Sequence, residues 1–501
     1  MFITWYIVAI LFSVTVVRGV WVIIYRLFFH PLAKVPGPLL ARAFFFYSFW
    51  YNAHGGRLYL QIEKLHQRYG PTVRISPDEI HLSDPEDLDK IYYFGSRFGK
   101  SPAFYRAFGL DNSLLTIPDN DLHRVRRAAL NPFFSRKMVF ELEDVVQAKA
   151  QKLTSRMRSA LESTGYIDLH YGFRAVSLDV LTDYAFDDCY GCLDKENFGF
   201  EIFKMIRDIG PTLWFFQEFP FMRDLAIQTP FWLAKLTGKS LSRMMLYRER
   251  CKHQILEVKE AVEKGDKVSR KTVFHQLLRP DDTEGYKMPS VEQLSDDAYV
   301  LIAAAADTTG NAMTMAAYNV VTNPEIYERL TAELRERFPD PEAKMDLVTL
   351  EKLPYLTAVI KEGLRLSYGV VGRIPRTVPE PGAEFHGYHV PGGTTVSMSS
   401  WMLHRNEDLF PNAEKFDPAR WQDPATRNAL EKHLFSFGRG PRQCVGMQLA
   451  YAELYITLGR VFRQFDDLKT RKKAREELLY DDYFSAYHPE AYNKFIFERA
   501  R

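Results

Sequence analysis

Of the four cysteines in this 501-residue chain, Cys189, Cys192, Cys251 and Cys444, the last sits among residues that change what a thiol can do. It follows the run Phe437-Gly438-Arg439-Gly440-Pro441-Arg442-Gln443 and precedes Val445-Gly446. A lone cysteine is ordinarily a small buried hydrophobe. Here Gly440 frees the backbone for a tight loop, Arg442 places a cation near the sulfur, and Gly446 removes bulk where another group would approach. Residues 447–454 read as a helix, which puts Cys444 at a helix N-terminus. There the dipole and the free N–H groups stabilise a thiolate, the form of cysteine that ligates metal. No other Cys or His clusters with it, which argues against structural zinc or an iron–sulfur cluster, each needing about four ligands. A single thiolate suits the axial position of a haem, whose ring supplies the other nitrogens. Cys189-x-x-Cys192 has no partner pair and no βαβ pattern around it, and reads as loop structure.

A second set lies upstream. Ala304-Ala305-Ala306-Asp307-Thr308-Thr309 joins small side chains, which leave room over a flat cofactor, to a hydroxyl and a carboxylate able to relay protons. The plainer alternative is a buried helix whose Thr bonds back to its own carbonyl and whose Asp is paired elsewhere. The segment falls in the longest predicted helix, about 291–322, ended by Asn323-Pro324 and apolar through its middle, hence buried on most sides. Another helix begins near Pro354 and carries Glu362-x-x-Arg365, and Phe416-Asp417-Pro418-Ala419-Arg420 follows downstream.

The elements that must hold these residues are mainly helical. From about Ala41 onward there is no repeat, low-complexity segment or linker, so residues 41–501 read as one large domain. Strand signals are confined to a hairpin at 72–82 and short strands within 370–396. Residues 1–26 are apolar enough to span a bilayer as one helix, and Pro31 with Val35-Pro36-Gly37-Pro38 makes 27–40 a stiff hinge. No Lys or Arg precedes the span, whereas Arg18, Arg26 and Lys34 lie at or beyond its end, so the rest of the chain is expected in the cytosol. With 65 Lys+Arg against 63 Asp+Glu the net charge is +2, which gives no electrostatic reason to expect nucleic acid. A composition of 46% hydrophobic and 26% charged residues excludes wholesale disorder and a polytopic membrane protein.

Phe437, Gly440, Arg442, Cys444 and Gly446 in Phe-x-x-Gly-x-Arg-x-Cys-x-Gly spacing resemble the haem-ligand signature of the cytochrome P-450 family, a pattern expected by chance with probability on the order of 10⁻⁴. The Glu-x-x-Arg, the Phe-x-Pro-x-Arg element and the Ala/Thr segment match in the family's order, and the resemblance covers the chain beyond the anchor. It implies a mainly α fold with a small β region and haem b between the long helix and the Cys444 loop. It further implies proton delivery by Thr308 and Asp307, haem contacts from Arg442, Arg376, Arg127 and His123, and a Glu362–Arg365–Arg420 salt-bridged triad. The family usually has glycine where this chain has Ala305, so its helix distortion is expected to be smaller or differently placed. The implied activity is insertion of one oxygen atom from O2 into a hydrophobic small molecule, with electrons from an NADPH-dependent flavoprotein reductase. That donor would dock on the basic stretch Arg124, Arg126, Arg127, Arg136 and Lys137. The apolar stretch 212–222 would roof the pocket and dip into membrane lipid, with further walls at 103–115, 368–374 and 484–487. Residues 25–38 and the segment Asn131-Pro132-Phe133-Phe134-Ser135 resemble fungal microsomal members akin to trichodiene oxygenase, implying an endoplasmic reticulum location and a terpenoid or polyketide substrate. A reductase-independent haem-thiolate isomerase or dehydratase and a non-catalytic haem or ligand-binding protein are the alternatives, and Asp307 with Thr308 argues against the isomerase.

Overall fold

The computed structural model describes residues 2–237, 239–266, 272–279 and 288–500. The chain begins with α1 (Phe2–Ile24), prolonged by a π turn, Tyr25–Phe29, whose side chains with those of α1 are almost all exposed. The chain leaves this helix at His30-Pro31. The Pro-rich stretch that follows is pinned to the body: Arg74, fully buried, donates from Nη1 to the Arg26 carbonyl at 2.9 Å, and its N–H donates to the Pro36 carbonyl at 2.7 Å. Gly37 is required there, because a Cβ would lie 2.3 Å from the Arg74 carbonyl oxygen.

Five short strands form the main sheet: β1 (Thr72–Ser76), β2 (Glu79–Leu82), β3 (Gly99–Lys100), β4 (Arg376–Thr377) and β5 (Thr395–Ser397), in the order β1-β2-β5-β4-β3. The hairpin expected at 72–82 is β1 and β2, antiparallel with Thr72 opposite Leu82. A later hairpin, β6 (Asp481–Tyr483) and β7 (Ser485–Tyr487), turns at Phe484 with φ +73°.

The helices that build the site are α2 (Asn120–Leu130), α3 (Leu169–Phe186), α4 (Phe200–Glu218), α5 (Val291–Ala305), α6 (Thr308–Val321), α7 (Pro354–Ser367) and α8 (Met447–Gln464). Local chemistry sets their starts. Asp119 caps α2 by accepting the Leu122 N–H at 2.7 Å, Ser290 and Gln293 form a reciprocal capping box at α5, and Pro354 opens α7. The core gathers around α6, which crosses α3 and α7 at small residues. A Cβ on Gly310 would stand 2.7 Å from the Arg174 Cα, and one on Gly363 would stand 2.8 Å from the Ala316 Cβ.

The long helix expected over 291–322 is two helices. It stops at Ala305, and Asp307 leaves helical geometry at φ −130°, ψ −44° before α6 begins. The distortion is therefore a full break, despite Ala305. Its physical cause is competition for the turn: the Thr308 hydroxyl takes the Ala304 carbonyl at 2.9 Å while Arg174 draws the Asp307 carboxylate outward at 2.6 Å.

Candidate functional site

The break faces the Cys444 loop across a cavity of about 280 Å³. One wall is Leu301, Ala304, Ala305, Thr308 and Thr309; the opposite wall is Phe437, Gly438, Cys444, Val445, Gly446 and Ala450. Gly438 and Gly440 hold φ of +64° and +73°, and a Cβ on Gly440 would lie 2.7 Å from the Tyr93 carbonyl oxygen, so this turn demands glycine. Cys444 donates its N–H to the Phe437 carbonyl at 2.9 Å, which closes the loop just before α8. Its exposed surface belongs to the cavity, while protein surrounds the residue on its other sides. Burial pushes the thiol up, and the Gly446 N–H and the Arg127 guanidinium oppose that rise. Cys189, Cys192 and Cys251 lie elsewhere, and all four cysteines are unpaired. Cys192 opens a 3₁₀ turn, in the segment read as loop.

Basic residues collect at one edge of the cavity, lined by Lys100, Arg376 and Arg442, and in a hollow of about 910 Å³ that shares Lys100 with it and is lined by His123 and Arg127. Arg442 donates to the Ile117, Pro118 and Asp119 carbonyls at 2.8–2.9 Å, Arg376 donates to the Tyr105 hydroxyl at 3.2 Å, and Arg127 donates to the Gln443 carbonyl. His123 is buried among them rather than solvated. A further basic side chain completes the set: Lys100, buried on β3, donates to the Leu115 carbonyl at 2.6 Å and lies 4.5 Å from the Tyr105 ring centre. Sequence reasoning missed it, because a single Lys in Arg97-Phe98-Gly99-Lys100 carries no pattern. Burial, then Arg376, Arg442 and Arg127, hold the Lys100 ammonium well below its ordinary range; burial, then Arg442 and Lys100, push His123 far down. Among the described residues none of these five forms an ion pair with a carboxylate. Concentrated unpaired cations in a buried place call for an anionic ligand, and a flat ring bearing carboxylates fits between the small-residue wall and the thiol.

Behind Cys444 the triad is assembled. Arg365 donates from Nη2 to Glu362 Oε1 at 2.8 Å and from Nε to Oε2 at 2.9 Å, and Arg420 Nε reaches Oε1 at 3.0 Å. Burial alone would raise the Glu362 carboxyl; the two guanidiniums more than offset it and the net direction is down. His404, which the sequence did not single out, links this cluster to the cysteine loop. Its Nδ1 bonds to the Arg365 carbonyl at 2.8 Å and its Nε2 accepts the Phe435 N–H at 2.8 Å.

The expected relay pair is divided. Thr308 lines the cavity, but Asp307 turns away from it toward Arg174, so each side chain makes the local bond that the plainer reading anticipated. The expected basic docking stretch is also reduced: Arg126 turns inward to Asp297 at 2.7 Å, and Arg136 pairs with Glu351. On the substrate side, Tyr105, Phe108 and Phe484 pack ring on ring, with centroids 5.0–6.3 Å apart, next to Leu115, Val370 and Ile374. Trp214 is core rather than lid, donating Nε1 to the Asp482 carbonyl at 2.6 Å, whereas Phe215 and Phe221 are exposed.

A helical body, a thiol at the mouth of α8, a broken helix opposite and a cationic rim define a haem-thiolate protein. Residues 36–488 match the family model described as cytochrome P-450, and the chain belongs to that family. It is similar to a cytochrome P-450 monooxygenase of Ascocoryne sarcoides, 35% identical with 92% of each chain covered. It is also similar to a tryptophan 6-hydroxylase of Fusarium equiseti (34%; 91% and 90% covered) and a conidiogenone synthase of Penicillium rubens (34%; 89% of each). The protein is an oxygen-incorporating oxidoreductase whose family binds haem through an axial cysteine thiolate, uses O2 and a hydrophobic substrate, and typically draws electrons from a reductase. Its one N-terminal apolar helix is long enough to anchor it in a membrane.

Proposed function

We propose that Cys444 is the axial ligand, that Lys100, His123, Arg127, Arg376 and Arg442 hold the haem carboxylates, and that Thr308 with Asp307 manages proton delivery for hydroxylation or epoxidation of a neutral, hydrophobic fungal metabolite. When bound, haem supplies the centre at which O2 is reduced, so that one oxygen atom enters the substrate and the other leaves as water. Burial pushes the Cys444 thiol up, and the Gly446 N–H and Arg127 oppose that rise on the side of the thiolate. The Thr308 hydroxyl commits its hydrogen to the Ala304 carbonyl, which leaves its lone pairs to orient a proton donor in the cavity. Asp307, one residue away, is the carboxyl group assigned to exchange protons with that donor. The aromatic and aliphatic wall excludes water; the cations at the cavity belong to the rim, and burial pushes the one carboxyl in its lining, Glu453, up to about 8, which favours an uncharged substrate. A terpenoid or polyketide intermediate meets that description. An NADPH-dependent flavoprotein of the endoplasmic reticulum membrane is the electron donor, with the catalytic body on the cytosolic side.

The observation that carries this reading is the placement of Cys444 opposite the helix break with the cations on one edge. The test is the carbon monoxide difference spectrum of the reduced protein: a strongly red-shifted Soret band is expected, and its persistence in Cys444→Ser would refute the ligand assignment. Product formation from a panel of terpenoids with reductase and NADPH then tests the substrate class.

A further inference from the structure

Behind the helix break, on the side away from Cys444, polar groups are buried more densely than packing requires. Arg174 on α3 is all but inaccessible; besides Asp307 Oδ1 it donates from Nη1 to the His170 carbonyl at 2.9 Å. His170 faces His488, with ring centroids 5.9 Å apart. His488, directly after β7, is 1% exposed, and neither of its ring nitrogens has a hydrogen-bond partner among the described residues; one approaches the Glu477 carbonyl without hydrogen-bonding geometry. Asp307 Oδ2 is equally buried and equally unpartnered. Arg174 acts electrostatically on both groups.

An unsatisfied buried donor or acceptor costs about 1–3 kcal/mol. Three such atoms around one guanidinium form an arrangement that native interiors satisfy with ordered water. We propose that water binds between Asp307 and His488, and that the file His488, water, Asp307, Thr308 carries protons from the protein surface to the cavity. The outer end is a hollow of about 390 Å³ bordered by Asp168, Tyr171 and Asn493. Asp168 accepts the His170 N–H at 3.0 Å and Asn493 donates to the Tyr171 hydroxyl at 2.9 Å, so the hollow adjoins the His170 turn. An imidazole that gains a proton on one nitrogen releases the one on the other. One proton therefore enters from the hollow for each that leaves Asp307, and no charge accumulates. Burial, then Arg174, hold both histidines well below the usual range, which keeps the rings neutral and able to accept. Arg174 is the positioning residue of the file, fixing Asp307 without exchanging protons itself.

This proposal rests on the Asp307 and Thr308 reading above, and the experiment separates the two. Holoenzyme is mixed with an NADPH-dependent flavoprotein reductase without added substrate, and NADPH oxidation is followed in H2O and D2O for wild type, Asp307→Asn and His488→Phe. Phenylalanine preserves the ring contacts with Tyr480 and Phe495, and an unchanged carbon monoxide band verifies folding. Both variants are expected to slow oxidation by about a hundredfold or more, the lower end of what a placed proton-transfer group contributes, and to enlarge the solvent isotope effect. Slowing in Asp307→Asn but not in His488→Phe would overturn the file and leave the relay reading intact; no change in either would overturn both. Independently, a high-resolution crystal structure of the holoenzyme should show ordered water on Asp307 Oδ2 and on a His488 ring nitrogen. Protein side chains bonded to those atoms instead would overturn the proposal.

Discussion

At Glu362 the cost of burying a carboxylate is met by two guanidiniums, a tryptophan N–H at 2.8 Å and the Asp417 N–H at 2.9 Å. Removing the charge leaves Arg365 buried without its partner, so Glu362→Gln should destabilise the protein by about 3–5 kcal/mol in denaturant titration. Because its folded-state value is lowered, Glu362 contributes stability that is fully present above the usual glutamate range near 4.5 and is lost as pH falls through the lowered value. Acid unfolding of Glu362→Gln should accordingly show a weaker pH dependence below about 4.5 than wild type. Lys100 gives a second prediction. If it holds a haem carboxylate, Lys100→Met should release haem about 10–100-fold faster in transfer to a haem acceptor, as the loss of a charge-assisted bond of about 1.5–3 kcal/mol requires, and Lys100→Arg should restore retention.

Among the elements, the α3–α6 crossing has the least tolerance. A Cβ on Gly310 would meet the Arg174 backbone at 2.7–2.8 Å, and helices that close cannot yield by a side-chain rotation alone. Gly310→Ala should lower stability by about 1–3 kcal/mol in a thermal melt, although alanine is the better helix former. The same crossing places Arg174 against Asp307, so the variant should also disturb the break between α5 and α6. The break shows how a local sequence preference for helix yields where a tertiary contact opposes it: Ala304, Ala305 and Ala306 are strong helix formers, yet the Arg174–Asp307 ion pair, with the local Thr308 hydroxyl bond, redirects the next turn.

For the whole molecule, the exposed apolar residues are not confined to α1. Phe45, Phe46 and Phe49 meet Phe219 with centroids 5.4–6.5 Å apart, beside exposed Phe215, Phe221 and Trp50. This makes one patch from the chain start and the end of α4, of the kind that enters a membrane interface. A chain lacking residues 1–24 should still sediment with liposomes, and adding Phe45→Asp with Phe221→Asp should release most of it to the supernatant.

The sequence by itself determined the family, the cysteine loop, the triad and the apolar N-terminal helix, because each is written in contiguous or closely spaced residues whose chemistry is local: glycines for a turn, an Arg one turn from a Glu, a long apolar run. It also located the hairpin at 72–82 and the aromatic walls. Only the tertiary structure decided that Lys100 joins the cationic edge, that His123 is buried there, that His404 ties Arg365 to the cysteine loop, that Arg126 faces inward, and that Asp307 turns from the cavity to Arg174. The His404, Arg126 and Asp307 contacts join residues from 31 to 171 positions apart. For Arg126 and Asp307 the free energy that selects these contacts is the avoidance of an unpaired buried charge, and for His404 it is the satisfaction of buried backbone groups, quantities that exist only once the chain has closed around them.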